Sequence, residues 1–134
     1  MNMKFLCVLM GVVSFFAAGS IALAAGRSAI QRDVESYAIA VCFASQEDQP
    51  YLKDQGYAWA EVIVQGRGRG PESLEPLRAA VKKVLAKGHV PVGFDEAHPM
   101  EGKALPVLYC GEIIDNPTVR AAITEVVAKI AKSR

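Results

Sequence analysis

The sequence contains no Cys-x-x-Cys motif and no cysteine–histidine set at metal-ligand spacing. That excludes the usual signatures of thiol exchange and of a structural zinc site. No basic stripe runs along the chain, which argues against a nucleic-acid partner. No basic amphipathic helix is present to hold the protein on a membrane surface. Internal repeats and low-complexity stretches are missing too. The serines Ser28, Ser36, Ser45, Ser73 and Ser133 lie in no nucleophile-elbow context, and no helix face carries paired carboxylates. Histidine is limited to His89 and His98, nine positions apart, with Asp95 and Glu96 between them. Those four types invite a metal or acid–base reading. A segment rich in proline and glycine is a poor scaffold for a preorganised site, however. The expectation is a protein that is not an enzyme, with no catalytic residue, no resident metal and no cofactor.

The first residues have their own pattern. Met1-Asn2-Met3-Lys4 is followed by an apolar run from Phe5 to Ala18, and Ala22-Leu23-Ala24 offers an A-x-A cleavage site. This order predicts a secretory signal peptide over residues 1–24 and a periplasmic protein from residue 25 onward. The apolar run is short for a membrane span and has no basic stop-transfer flank, so no membrane association is expected after cleavage. The remaining chain, residues 25–134, has a length of about 110 residues, enough for one domain with a modest core. Lys4 is the only charged residue of the leader, so the exported part balances its basic side chains against 14 acids.

Glycine and proline divide this part into five helical segments. Ile30, Val34, Tyr37, Ala38 and Val41 recur at helical spacing in the first, Ala29 to Ser45. From Tyr37 onward that helix is apolar all round, which predicts a central helix or part of a subunit contact. Pro50 suits the first turn of a second helix reaching about Gln65, with Leu52, Gln55, Trp59, Val62 and Ile63 on one side. Gly56 within it suggests close helix packing. Gly66-Arg67-Gly68-Arg69-Gly70-Pro71 has the glycines and arginines of a phosphate loop. It lacks the Lys-Ser/Thr pair and the preceding strand, and reads as an exposed connection. A third helix, Glu72 to Lys87, places Leu74, Leu77, Val81, Val84 and Leu85 inward and Arg78, Lys82, Lys83 and Lys87 outward. The fourth runs from about Ala104 to Asp115, with Val107, Cys110 and Ile114 on one face. Asn116-Pro117 opens the fifth, striped by Val119, Ile123, Val126, Val127 and Ile130. No segment alternates convincingly as a strand. The expected fold is all-α, a compact bundle of about five helices.

Cys7 falls in the leader, which leaves Cys42 and Cys110 in the exported chain. An even pair in a small secreted domain predicts a disulfide joining the first helix to the fourth. The two are 68 positions apart. Closing a loop of that size contributes about 4 kcal/mol.

Several stretches together resemble a known family. They are Tyr37-Ala38-Ile39-Ala40-Val41-Cys42, Gln55-Gly56-Tyr57, the basic helix ending Leu85-Ala86-Lys87, Leu105-Pro106-Val107-Leu108-Tyr109-Cys110, and Asn116-Pro117. In type and order they are similar to the immunity proteins that guard bacteria against type VI-secreted peptidoglycan amidases, most closely the class paired with the fourth amidase group. The resemblance spans nearly the whole exported chain. It implies a periplasmic, all-helical homodimer that plugs the cleft of a Cys-His amidase with a protruding loop or helix, and so protects the cell wall of sister cells. Gly111, directly after Cys110, departs from the helix continuation that pattern would lead one to expect.

The segment His89 to Lys103 carries two prolines and two glycines and reads as a long loop. Loops of this length in small domains tend to be functional or disordered. Plugging a cleft needs an apolar anchor with polar contacts around it. Phe94 is the candidate anchor, and Asp95, Glu96 and His98 are the candidate hydrogen-bonding groups. A periplasmic acid-stress chaperone or adaptor is the competing reading, since such proteins are also small helical dimers with one disulfide. The 14 acids and two histidines supply the titratable groups it would need.

Overall fold

Ser28 starts the first helix: its side-chain oxygen accepts the Gln31 N–H at 3.1 Å, as an N-cap should. A computed structural model describes residues 26–133. The leader, its cleavage site and Cys7 lie outside the described residues. Helix α1 (Ala29–Ala44) is followed by α2 (Pro50–Glu61), α3 (Pro71–Leu85), α4 (Pro106–Gly111) and α5 (Pro117–Lys132). A π-helical turn, Val62–Gly66, extends α2, and a 3-10 turn, Ile113–Asp115, links α4 to α5. The fold is the expected bundle of five helices.

Helix α1 is the centre of the bundle. It packs against α2, α3, α4 and α5, and its buried residues fall on successive sides of the helix. This is the central-helix reading of its all-round apolarity. Helix α3 contributes Leu74, Leu77 and Val81, and α5 contributes Val119, Ile123, Val126 and Ile130. These stripes match the predicted ones, because both helices cover one side of the core and leave the other to water. The basic residues Arg78, Lys82, Lys83 and Lys87 are exposed, as expected.

Cys42 and Cys110 are bonded, with the sulfurs 2.04 Å and the Cα atoms 5.4 Å apart. Both are fully buried. Gln46 covers the bridge, its amide donating to the Cys42 carbonyl at 3.1 Å and lying 3.5 Å from Cys110 Sγ. The disulfide therefore ties α4 to the end of the central helix.

Four expectations need correction. The segment after α3 is not simply a loop: Val92–Asp95 (β1) and His98–Ala104 (β2) form an antiparallel hairpin. The predicted face of α2 is rotated. Its one buried residue is Gly56, and Ile63 follows in the π turn, whereas Val62 is 57% exposed and Gln55 faces solvent. Close approach at Gly56 pulls that side of α2 onto α1, and the wider π turn brings Ile63 back to the core. On α4, Val107 is exposed and Ile113, in the next turn, takes the buried place expected for Ile114. The α-helix stops at Gly111, and a tighter turn follows.

The Gly66–Gly70 connection is also more than an exposed turn. Arg69 is buried, and its Nη2 donates to Asp33 Oδ2 at 2.9 Å. Arg67 reaches the other carboxylate oxygen at 3.0 Å from a more exposed position. Asp33 is itself buried on α1, so each ion needs its partner. Asp33→Asn preserves shape and an acceptor but leaves Arg69 without a counter-charge. A loss of about 1–2 kcal/mol in folding stability is expected from urea titration, below the about 3–5 kcal/mol of a fully abandoned buried charge because the amide oxygen still accepts from Arg69. An unchanged midpoint would mean that this pair contributes nothing net.

Candidate functional site

The hairpin is the irregular element on this bundle, and its sequence explains its form. Val92 pairs with Ala104, Gly93 with Lys103 and Phe94 with Gly102. The register then breaks, so that Asp95 pairs with His98. Pro99, Met100 and Glu101 therefore bulge from β2 without partners on β1. A bulge is where a strand tolerates proline, because no ladder N–H is needed there. Asp95 closes the tip: its Oδ1 accepts the Ala97 N–H at 2.9 Å, an Asx-type turn.

Gly102 has a packing reason. A Cβ there would collide with Val92 Cγ1 and come within 3.1 Å of Phe94 Cε1. The side chains of Val92 and Phe94 therefore lie over the bare glycine, on one face of the hairpin, at positions i and i+2. On the other face Leu105 packs against Gly93, where a Cβ would lie 3.1 Å from Leu105 Cδ1. The Leu105 N–H also donates to the Pro91 carbonyl at 2.8 Å. Leu105 thus closes the base of the hairpin, and α4 begins at the next residue. Cys110 fixes α4 to the core. The strands contact each other closely and the helices only sparingly, so the hairpin stands off the bundle from a disulfide-anchored base.

All four sequence-predicted site residues lie on this element. Phe94 is on β1 and 67% exposed. Asp95 ends β1, Glu96 is in the tip turn, and His98 begins β2, all exposed. Asp95 and His98 face each other, with Oδ2 and Nδ1 3.8 Å apart, beyond hydrogen-bond length. His89 precedes β1 and is exposed. Among the described residues no three His, Cys, Asp or Glu side chains cluster as metal ligands. No helix among them is long and apolar enough to cross a membrane.

Sequence reasoning overlooked part of the surface. Met100, in the bulge, is 92% exposed, and Val92 is half exposed. Val107 and Leu108, one turn beyond the hairpin base, are exposed at 60% and 48%. With Phe94 they give the hairpin and α4 several large apolar side chains in water. Met100 could have been found as a lone large apolar residue between a proline and a glutamate. Val107 could not, because its spacing to Cys110 imitates a buried stripe.

Electrostatics at the tip are simple. Asp95, Glu96 and Glu101 are exposed and acidic, and Lys103 is at the base of β2. The Asp95 carboxylate is occupied by its own turn, which leaves Glu96 and the His98 ring as the freer polar groups. The tip thus presents exposed apolar side chains with acceptors beside them. No family model, curated protein or solved structure matches this chain.

Proposed function

We propose that this is a periplasmic immunity protein that binds and inhibits a type VI-secreted peptidoglycan amidase, protecting the cell wall of sister cells. The observation that carries the reading is the projecting hairpin, with Phe94 and Met100 exposed on a base that Leu105 closes at the start of α4, the helix held to the core by the Cys42–Cys110 bridge. Cleft-blocking proteins work by presenting a preorganised apolar anchor with polar contacts around it, because little ordering cost remains to be met on binding. Phe94 is the anchor. Glu96 and His98 hydrogen-bond to groups in the cleft, and Asp95 holds the tip in shape. The protein acts as a homodimer and contributes no catalysis, metal or cofactor of its own.

The test is a pull-down from periplasmic extract with the disulfide intact, followed by an assay of any captured amidase. A stoichiometric complex with an inactivated amidase is expected. Replacing Phe94, Asp95 and Glu96 together by alanine should weaken inhibition by about 100-fold, the scale of a lost interface anchor. These side chains are exposed, so the melting temperature should stay close to that of the parent. Full inhibition by the triple variant would remove the hairpin from the mechanism. Capture of many unrelated proteins, chiefly at low pH and with apolar-dye binding rising below about pH 3, would instead favour an acid-stress chaperone.

A further inference from the structure

A cleft of about 510 Å3 opens between the C-terminal end of α3 and the junction of α4 with α5. That volume is in the range of about 300–1,000 Å3 typical of sites for small ligands and peptide groups. None of its lining residues belongs to the hairpin. Its apolar wall includes Val84 and Ile113. Lys83, in the last turn of α3, and Lys87, in the turn that follows the helix, line the α3 side. Among the described residues neither lysine forms an ion pair. Glu112 is the only acid in the lining, so the ammonium groups outnumber it. The first turn of α5 reaches the cleft at Thr118, whose N–H is already held by the Asn116 side-chain oxygen at 3.0 Å.

The phenol of Tyr109 supplies a separate observation. It lines the same cleft, and among the described residues its buried hydroxyl has no hydrogen-bond partner. Buried hydroxyls are normally satisfied, so this one is a donor without an acceptor. It lies against Gly88, where a Cβ would overlap the hydroxyl and sit 3.2 Å from Cζ. For the hydroxyl to meet an occupant of the cleft, the ring must turn away from Gly88.

We propose that this cleft binds the carboxylate of an acidic peptide. The carboxylate sits between the Lys83 and Lys87 ammonium groups and accepts from the Tyr109 hydroxyl, while the aliphatic part of the residue lies on Val84 and Ile113. Charge complementarity selects this occupant: two unpaired cations and an orphaned donor seek an anion, and the apolar wall favours one carried on a carbon chain. The site is independent of the hairpin reading, and its test does not involve an amidase.

The test follows the backbone amide signals by NMR while the disulfide-intact protein is titrated with acetyl-Ala-Glu-Ala-amide. The glutamine analogue and inorganic phosphate serve as comparisons. Saturable shifts confined to the amides around Gly88, Tyr109, Ile113 and Thr118, far larger for the glutamate peptide, are expected. Lys83→Met with Lys87→Met keeps the aliphatic stems and should weaken binding by about tenfold or more, with an unchanged melting temperature. Tyr109→Phe should weaken it by about three- to tenfold. Equal shifts with both peptides, or shifts scattered over the surface, overturn the proposal. Phosphate that saturates the same amides as readily as the acidic peptide overturns the peptide assignment.

Discussion

Reducing the Cys42–Cys110 bridge should lower the folding free energy by about 4 kcal/mol, as expected for freeing a chain loop of this length in the unfolded state. Domains of this size have a total stability of about 5–15 kcal/mol, so the reduced protein keeps its fold by a narrow margin. The melting temperature should drop by about 15–25 °C, at several degrees per kcal/mol. The loss should be uneven. Helix α4 has six residues, too few to persist without an anchor. Its neighbours hold it mainly through Cys110, which is fully buried against α1. In the reduced protein at low temperature, amide exchange should therefore accelerate first in α4 and at the hairpin base around Leu105. Helices α3 and α5, joined by their own aliphatic stripes, should stay protected. Oxidised and reduced forms with the same denaturant midpoint would contradict the stability estimate. Uniform acceleration of exchange would contradict the anchoring role.

Much of this architecture was legible in the residues because its physics is periodic. Leu74, Leu77 and Val81, and Val119, Ile123, Val126 and Ile130, each mark a helix with one buried side. The cysteine pair was legible from its number alone once Cys7 was assigned to the leader. The hairpin was not legible, for a definite reason. Strand prediction depends on a buried face alternating with a wet one, and every residue of β2 is exposed. Its prolines and glycines, which usually argue against a strand, are accommodated by the bulge at Pro99 and by the side chains folded over Gly102. Arg69 was missed because a residue between two glycines has no periodic neighbours to signal burial. Asp33 did leave a trace: it lies one turn before Tyr37 on the buried side of α1, where an uncompensated acid would be costly. The four candidate hairpin residues were chosen from the composition of the irregular segment. The apolar residues beside them, Met100 and Val107, became visible as surface only in three dimensions.

The second large effect is expected at Gly56, where α2 touches the central helix backbone to backbone. A Cβ at this position would collide with the Ala44 amide nitrogen, lie 2.6 Å from the Ala40 carbonyl oxygen and sit 2.8 Å from the Phe43 carbonyl carbon. These are main-chain atoms of a helix packed on four sides, so no side chain can swing away to make room. Two effects of Gly56→Ala oppose each other. Alanine favours the helical backbone by about 1 kcal/mol relative to glycine. Forcing a methyl group into a filled contact costs about 1–3 kcal/mol, and more where backbone must move. With three backbone atoms in the way, the steric cost lies at or beyond the upper end, and a net loss of about 2–3 kcal/mol is expected. Urea titration of Gly56→Ala against the parent measures it. A stabilised variant would show that α2 can slide along α1 at little cost. Gly111, which has open space around its Cα, serves as the contrast. Gly111→Ala adds its methyl group without a clash and should be neutral or slightly stabilising. Opposite signs at two helical glycines would separate close approach from helix propensity as the reason each one is there.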